Sequence, residues 1–412
     1  MKKIFTLIIL VCFVFAFTFQ SAGIYVSVEE EREMRENEFS DSAVYDVSAA
    51  VDSQFTTSAK AVVLMEKSTG KVLYAENENE KLYPASVTKI MTILLVCEAL
   101  ESGKIKLSDT VSCSENAASK GGSQIWLEAG EMMSVQELLK ATCVYSANDA
   151  CTLLGEYVAG SEQAFNDLMN NRAEELGMNN THFDNCTGLD DTTDTHLTTA
   201  YDVALMSKEL LKYDFVKEYT TIWMDSLRNG ETQLVNTNKL VRFYNGITGL
   251  KTGTTEKAGC CVSATAERDN MELIAVVMGS ENSNDRFNTA ENLLDWGFAN
   301  FEIYTPEIKD TIKKEIDVLF GMKDSVGVKI PVPSSVLINK GESQNITAEI
   351  EIAENITAPV DENQTVGKIT VRNGDKILSE HSITVAESVG KLSFFGALHK
   401  LLTSFSEEAK NK

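Results

Sequence analysis

The sequence predicts an α+β protein in which helices cover one antiparallel sheet and form a helical lobe, followed by a small C-terminal β-sandwich domain. Three observations lead to this prediction. Strand-like runs occur near residue 60 and return near residue 260, helical periodicity fills the chain between them, and hydrophobic residues alternate with period two after Pro306. Strands on both sides of a helical block are expected to form one sheet with the helices packed on it.

The N-terminal residues 1–23 have the layout of a secretory signal peptide. Lys2 and Lys3 precede an apolar run and then small residues, so cleavage is expected near Ala22 or Gly23 and the protein is expected to act outside the cytoplasm. An uncleaved membrane anchor is the alternative. Residues 24–57 are acidic and weakly patterned, which predicts a flexible segment because such sequences bury too little apolar surface to become ordered.

Residues 58–301 contain the elements of the first folded domain. Two β-rich runs flank Gly70, which predicts a hairpin, and the helix that follows should end at Gly103. Ser134 and Glu137 have the spacing of a capping box at the start of another helix. Further helices are predicted in "DACTLLGEYVAG", "SEQAFNDLMNNRAEELGM", "TTAYDVALMSKELLK" and "FNTAENLLDWGFANF".

Strands return after the helical block, first in "CCVSATAERDNMELIAVVMG" with a turn at Asp269 and Asn270. Residues 302–386 then alternate with period two and carry a turn at Asn373 and Gly374, which predicts the β-sandwich domain. This domain contains no cluster of catalytic residue types, so we interpret it as a spacer or a protein-contact module.

Residues 387–412 are expected to form an amphipathic C-terminal helix. Its apolar stripe consists of Leu392, Phe395, Leu398, Leu402 and Phe405. Such a stripe is typical of a helix that lies on a membrane surface, here the outer face of the cytoplasmic membrane. A helix that packs on its own protein or on a partner is the alternative.

Charge and cysteine content exclude several classes of protein. The 412-residue chain carries a formal charge of -24, so nucleic acid is not an expected partner, because phosphate binding needs a basic surface. The cysteines show no regular spacing, and we interpret most of them as buried small hydrophobic residues rather than a disulfide framework. Neither cysteines nor histidines have the spacing of a zinc site, so no metal and no cofactor is predicted.

The first indication of chemistry is the stretch "YPASVTKIMT", where Ser86 and Lys89 stand three residues apart at the start of an apolar helix. Positions i and i+3 share a helix face, so the lysine amine can reach the serine hydroxyl. Burial disfavours the ammonium form, and a neutral amine can accept the serine proton. Alone the pair is weak evidence, because a capping serine with a surface lysine gives the same pattern.

Two later stretches carry matching polar residues. "YSANDA" places Ser146 and Asn148 at the end of a predicted helix, and "GLKTGTT" places Lys251, Thr252 and Gly253 at the start of a predicted strand. These three motifs in this order resemble those of low-molecular-weight penicillin-binding proteins of the D-alanyl-D-alanine carboxypeptidase type. The resemblance runs from about residue 60 to residue 301, and more loosely beyond it, and includes "GGSQIWLEAGE", "THFDNCTGLD", "HLTTAYDVALM" and "NTNKL".

The resemblance implies a β-lactamase/transpeptidase-like fold and a catalytic role for several residues. Ser86 would attack the carbonyl of the penultimate D-alanine in a peptidoglycan stem peptide that ends in D-Ala-D-Ala. Lys89 would be the base, and Ser146 would relay a proton to the departing amine. The N–H groups of Ser86 and Thr254 would form the oxyanion hole. Many relatives carry tyrosine or histidine at the position of Thr254, which leaves rate and β-lactam affinity open.

The same resemblance implies the substrate contacts. Asn148 would hold both the catalytic amine and the substrate amide. Lys251 and Thr252 would bind the terminal carboxylate, and Gly253 would let the strand backbone lie close to the substrate. His196 and Asp202 also match a family stretch, and we interpret them as structural because nothing in the sequence brings His196 near the serine.

Three other functions are open at this point. A β-lactamase of the commonest class needs a glutamate-bound water within an ExxLN stretch, and the nearest candidate, residues 174–180, does not fit that spacing. β-Lactams are therefore expected to act as covalent inhibitors. A DD-endopeptidase that cuts peptidoglycan crosslinks uses the same chemistry. A non-catalytic wall-binding scaffold would keep the fold, but the complete motif set argues against it.

Overall fold

The computed structural model describes residues 55–190, 193–308 and 313–398. The strands of the first domain, in chain order, are β1 Ala61–Glu66, β2 Val72–Glu76, β3 Thr110–Ser112, β4 Met132–Ser134, β5 Met224–Leu227, β6 Thr232–Val235, β7 Ile247–Thr255, β8 Gly259–Arg268 and β9 Met271–Ser280. Five of them form a central antiparallel sheet in the order β2-β1-β9-β8-β7. This sheet confirms the predicted union of strands from both sides of the helical block.

The predicted hairpins are present. β1 and β2 are joined across Gly70, whose φ is +70°, and the other edge of β1 pairs with β9. The turn between β8 and β9 consists of Asp269 and Asn270, both with positive φ, which is the conformation that a type I′ turn requires. Both turn predictions are confirmed.

The six long helices fall where the 3.6-residue periodicity predicts them. In chain order the helices are α1 Lys89–Glu101, α2 Glu115–Ala118, α3 Val135–Val144, α4 Asn148–Ala159, α5 Glu162–Glu175, α6 Ala200–Leu210, α7 Lys217–Thr220, α8 Leu240–Phe243 and α9 Ser283–Asn300. Three four-residue helices, α2, α7 and α8, were not predicted. The capping box of Ser134 and Glu137 at the start of α3 is confirmed, with hydrogen bonds in both directions. Helix α1 packs against α4 and α6 and is buried along most of its length.

Helices cover both faces of the sheet, which explains why β9 is buried at every position. Ile274 and Val276 belong to a hydrophobic cluster with α1, α3, α4 and α6. Leu273 and Ala275, on the opposite face, belong to a second cluster with α9. The sequence of a strand covered on both sides is a continuous apolar run, without the alternation of apolar and polar residues seen in a half-buried strand.

Two short ribbons within the predicted helical block were missed. β3 pairs with β4, and β5 pairs with β6, each as an isolated antiparallel pair. Strands of three or four residues are too short to show a period in a window long enough to reveal helices.

The C-terminal domain is built of strands, as predicted. They are β10 Phe301–Tyr304, β11 Glu315–Leu319, β12 Ser325–Lys329, β13 Val336–Asn339, β14 Ile346–Ile352, β15 Asn355–Thr357, β16 Thr365–Asn373 and β17 Lys376–Val385. Six form a sheet in the order β14-β16-β17-β12-β11-β15, and β10 pairs with β13. The predicted fold class is therefore confirmed.

The turn between β16 and β17 differs from the prediction by one residue. Asn373 pairs with Lys376, so the turn consists of Gly374 and Asp375. The prediction of Asn373 and Gly374 was wrong because Asn373 is still paired in β16, and the register shift between Val371 and Arg372 closes the hairpin with a two-residue turn.

The N-terminal limit of the ordered domain also differs from the prediction. Phe55 and Thr57 lie in the segment predicted to be flexible, yet the Phe55 ring centroid is 4.8 Å from that of Tyr74. The Thr57 hydroxyl accepts a hydrogen bond from the Thr289 hydroxyl at 2.7 Å. Aromatic packing against β2 therefore holds these residues on the domain.

Several predictions fall outside the described residues. The signal peptide, the flexible segment up to residue 54 and the end of the terminal helix beyond residue 398 belong to this group. The start of that helix, predicted at residue 387, was wrong: residues 394–398 are helical, whereas Val389 and Lys391 form β-bridges with Val360 and Gly321. Within the three described ranges, none of the helices combines the length and apolarity needed to cross a membrane. The seven cysteines in these ranges are buried free thiols, which confirms their interpretation as small hydrophobic residues.

Candidate active site

Ser86 lies in a tight 3₁₀ turn, Ala85–Thr88, that leads directly into α1. The sequence predicts an ordinary α-helix here, but Pro84 precedes the turn and Ala85 adopts a φ of +47°. Side chains at positions i and i+3 eclipse in 3₁₀ geometry, so the turn aligns Ser86 with Lys89 more directly than an α-helix would.

Lys89 is fully buried and makes three short polar contacts. Its Nζ lies 2.9 Å from Ser86 Oγ, 2.6 Å from Asn148 Oδ1 and 2.8 Å from the carbonyl oxygen of Thr187. Burial lowers the pKa of Lys89 to about 8. A neutral amine has two hydrogens for the amide and carbonyl oxygens, which leaves its lone pair to accept the hydrogen of the Ser86 hydroxyl.

The carbonyl of Thr187 is positioned by its own loop. Asn185 Oδ1 accepts hydrogen bonds from the backbone N–H groups of Thr187 and Gly188 at 3.1 and 2.7 Å. Gly188 has a φ of +86°, and a Cβ atom there would lie 1.8 Å from the carbonyl oxygen of Ala85. The loop therefore packs directly on the Ser86 turn, a contact that only glycine allows.

A second buried amine lies on the other side of the site. Lys251 Nζ in β7 donates hydrogen bonds to Ser146 Oγ and to the carbonyl oxygen of Thr252, both at 2.9 Å. Ser146 connects α3 to α4 with a φ of +64°. Burial, and secondarily the charge of Lys89, lowers the pKa of Lys251 well below its ordinary value. Lys251 and Ser146 thus form a second hydrogen-bonded pair beside that of Lys89 and Ser86.

Strand β7 runs unusually close to the Ser86 turn. A Cβ atom on Gly253 would lie 2.8 Å from the backbone nitrogen of Ser86 and 2.8 Å from the carbonyl oxygen of Pro84. Glycine is thus required by the packing of the protein itself, a reason that the sequence did not reveal. Next to it, Thr252 Oγ1 donates a hydrogen bond to Thr237 Oγ1 at 2.7 Å.

Sequence reasoning missed Arg286, which supports the end of β7 from α9. Its Nη1 lies 2.8 Å from the carbonyl oxygen of Gly253, 3.0 Å from Thr254 Oγ1 and 3.0 Å from the carbonyl oxygen of Cys261. The guanidinium is buried, and burial lowers its pKa. A sequence signal did exist, because an arginine within the first turn of a helix opposes the helix dipole and calls for a specific partner.

His196 and Asp202 lie behind the Ser86 turn. His196 Nδ1 accepts a hydrogen bond from the N–H of Asp184 at 3.0 Å, so Nε2 carries the hydrogen and donates to Thr88 Oγ1 at 2.8 Å. Burial lowers the pKa of His196 to about 4. Asp202 accepts hydrogen bonds from the N–H of Asn180 and the hydroxyl of Thr181. These contacts support the turn and its neighbouring loop.

The eight residues singled out from the sequence therefore meet in one place. Ser86 and Lys89 come from the turn before α1, Ser146 and Asn148 from the junction of α3 and α4, and the others from β7. A serine in contact with a buried amine is the arrangement of an activated nucleophile. The second amine and the strand backbone supply hydrogen-bond donors for an anionic substrate end.

Comparison with known proteins identifies the family. Residues 47–282 match the family described as D-alanyl-D-alanine carboxypeptidase, and residues 301–391 match the penicillin-binding protein 5 C-terminal domain. The chain belongs to the D-alanyl-D-alanine carboxypeptidase family. It is a serine hydrolase of that family, with the activity that the family name states.

Similar proteins include both curated relatives and solved structures. The D-alanyl-D-alanine carboxypeptidase DacF of Bacillus subtilis is 41% identical over 86% of this chain and 92% of its own length. Penicillin-binding protein 5 from Haemophilus influenzae has a TM-score of 0.72 at 30% identity, over 83% of this chain and all of that one. The ampicillin-bound form of penicillin-binding protein D2 from Listeria monocytogenes, at 30% identity and a TM-score of 0.55, covers 60% of this chain and 99% of that one.

Proposed function

We propose that this carboxypeptidase removes the terminal D-alanine from peptidoglycan stem pentapeptides through an acyl-enzyme on Ser86. Ser86 Oγ bonds to the carbonyl carbon of the penultimate D-alanine while its proton passes to Lys89 Nζ. The C–N bond then breaks, and the terminal D-alanine leaves after its amine receives a proton by way of Ser146. Water adds to the acyl-enzyme, and the ester bond to Ser86 breaks to release the shortened peptide.

The observation that carries this proposal is the pairing of Lys89 with Ser86. The amine is buried, lies 2.9 Å from the hydroxyl and has a pKa lowered to about 8, so a substantial fraction is neutral near neutral pH. Its other two neighbours are acceptors, which orient the lone pair toward the hydroxyl. General-base activation of this kind is the usual route to a nucleophilic serine.

The substrate is proposed to lie between β7 and the junction of α3 and α4. Lys251 and Thr252 would bind the terminal carboxylate, and Asn148 would contact the substrate amide. Gly253 would bring the strand backbone next to the peptide. The N–H groups of Ser86 and Thr254 would hold the oxyanion, a contribution of about 3 kcal/mol per donor in the transition state.

β-Lactams are proposed to acylate the same serine. The ampicillin-bound Listeria relative, at 30% identity, supports a β-lactam as ligand of this fold. Slow hydrolysis of that adduct is expected, because the chain has no suitably spaced glutamate for a deacylating water.

One assay tests the reaction directly. Purified protein incubated with a peptide ending in D-Ala-D-Ala should release free D-alanine, and Ser86→Ala should release none. A crosslinked dimer of stem peptides serves as the second substrate. Cleavage of the crosslink without release of D-alanine from the pentapeptide would assign the protein as an endopeptidase, and cleavage of neither would favour the scaffold.

We further propose an exported protein that is held at the outer face of the cytoplasmic membrane. Residues 1–23 would direct export, 58–301 would form the peptidase domain and 302–386 the β domain. The C-terminal segment 387–412, which is helical over residues 394–398, would attach the protein to the membrane surface. The apolar stripe and the exposed Phe394 and Phe395 support the helix as the attachment site. Deletion of residues 393–412 should move the protein from membrane to soluble fractions, and an unchanged distribution would overturn this attachment.

A further inference from the structure

The β domain exposes a group of large apolar side chains at the loop between β11 and β12. We define residues 319–323 as the tip loop. Phe320 is 70% exposed, Met322 is 64% exposed and Leu319 is 43% exposed. Large apolar side chains scattered singly are normal on a surface, but a contiguous group points to a contact with an apolar partner.

The tip loop is joined to the segment that enters the terminal helix. The N–H of Met322 donates to the carbonyl oxygen of Gly390 at 2.9 Å, and the N–H of Leu392 donates to the carbonyl oxygen of Phe320 at 2.8 Å. These two bonds form an antiparallel bridge in which Gly321 faces Lys391. The tip loop and the beginning of the terminal helix therefore lie side by side.

The beginning of that helix carries exposed apolar side chains of its own. Phe394 and Phe395 are 79% and 80% exposed, and Leu398 is 46% exposed. Because Leu392 is hydrogen-bonded to Phe320, these residues directly follow the backbone that lies beside the tip loop, and we call the exposed apolar side chains of the two segments the apolar region. Phe320 has a φ of +59°, a conformation that is unfavourable for a bulky residue and that glycine would adopt more easily.

We propose that the tip loop is a second membrane contact, which inserts Phe320 and Met322 into the lipid surface beside the terminal helix. This inference rests on the proposed attachment of that helix to the membrane. It adds an element of the folded β domain to the attachment, so the domain is held at two adjacent points.

The adjacent terminal helix, proposed to lie on the membrane, indicates lipid as the occupant of the tip loop, and net charge explains why a second contact is needed. The chain carries a formal charge of -24, so anionic headgroups repel it as a whole. Attachment must then depend on buried apolar area, and a single short amphipathic helix supplies little of it. The tip loop is fixed next to the helix, so once the helix is bound the loop is held at a high effective concentration near the lipid. The overall membrane affinity then exceeds that of either contact alone.

Vesicle co-sedimentation of the signal-free chain tests this proposal. The probe is a vesicle of phosphatidylethanolamine and phosphatidylglycerol, compared with buffer alone. The test variant is Phe320→Ser with Met322→Ser. The matched control is Val332→Ser with Ile377→Ser, since these two residues of the same domain are 79% and 48% exposed and lie outside the tip loop and the terminal helix.

The tip-loop variant is expected to lower the vesicle partition coefficient about tenfold, while the control stays at the wild-type value. Both should release D-alanine from a soluble peptide at the wild-type rate, which separates lipid binding from folding and catalysis. Equal binding by the tip-loop variant and the wild type overturns the proposal.

Two further measurements separate this proposal from its neighbours. Deletion of residues 393–412 tests the helix alone. If this deletion abolishes vesicle binding while the tip-loop variant binds like the wild type, only the tip-loop contact is rejected. Sedimentation velocity without lipid tests a second copy as occupant. A wild-type dimer that the tip-loop variant converts to a monomer would assign the apolar region to self-association and overturn the lipid contact.

Discussion

The backbone of Gly253 lies so close to Ser86 that a Cβ atom at residue 253 would be 2.8 Å from the Ser86 nitrogen. This proximity joins β7 to the turn that carries Ser86, the proposed nucleophile. The atoms in question belong to the backbone, so they cannot move aside as a flexible side chain would. The position of the Ser86 N–H, which we propose as a donor to the oxyanion, is set by this contact.

Gly253→Ala should therefore slow acylation by penicillin at least about 100-fold, because a small displacement of the nucleophile or of the oxyanion donors has effects of that size. Stopped-flow measurement of acylation checks the rate. Gly327→Ala is the control, since a Cβ atom there has its nearest neighbour at 3.7 Å. Near-normal acylation by Gly253→Ala would show that the turn tolerates the displacement.

Acylation should depend on the protonation of Lys89. Its pKa is lowered to about 8, and the base acts in the neutral form that prevails above this pKa, so the rate should rise with pH and level off above about 8. Asn148→Asp places a negative charge where Oδ1 is 2.6 Å from the amine, which should move the midpoint to higher pH. A rate that falls as pH rises through this range would contradict the role of base.

Lys251→Ala should discriminate between two substrates. A charge-assisted hydrogen bond contributes about 1.5 to 3 kcal/mol, so kcat/KM for a peptide with a free terminal carboxylate should fall about 10- to 100-fold. The corresponding peptide amide should lose much less. Lys239→Ala, at an exposed position, serves as the control. Equal losses on both substrates would count against carboxylate binding by Lys251.

Arg286→Met should weaken both stability and acylation. The change leaves the buried carbonyl oxygens of Gly253 and Cys261 without the Nη1 donor, which should lower the free energy of unfolding by about 2 kcal/mol. Urea denaturation and the penicillin acylation rate measure the two effects. Arg242→Met, at an exposed position where the guanidinium contacts the rings of Trp223 and Phe243, should cost less than about 1 kcal/mol and leave acylation unchanged. An unchanged unfolding midpoint in Arg286→Met would show that other groups satisfy these carbonyls.

The motif residues could be predicted because each motif is local. Ser86 and Lys89 are three residues apart, and Ser146 and Asn148 two, so each pair stands out in the sequence, and the resemblance of the three motifs together assigned their roles. The hairpins and long helices could also be predicted, because hydrophobic periodicity and turn residues are signals within short stretches of sequence.

The contacts that sequence could not reveal are long-range or concern backbone atoms. Arg286 lies far along the chain from Gly253, and no repeat or spacing connects them. The 3₁₀ form of the Ser86 turn depends on packing against Gly188 and Gly253, which come from a loop and a strand distant in sequence. The register shift after Val371 likewise arises from pairing across the whole hairpin.

Mapping of the penicillin adduct tests the central claim most directly. Wild-type protein would be incubated with penicillin, digested and analysed by mass spectrometry for the modified peptide. Activation of Ser86 by Lys89 predicts a single penicilloyl group, carried by Ser86 and missing from Ser86→Ala. An adduct on any other residue, or none on the folded wild-type protein, would contradict the proposed nucleophile.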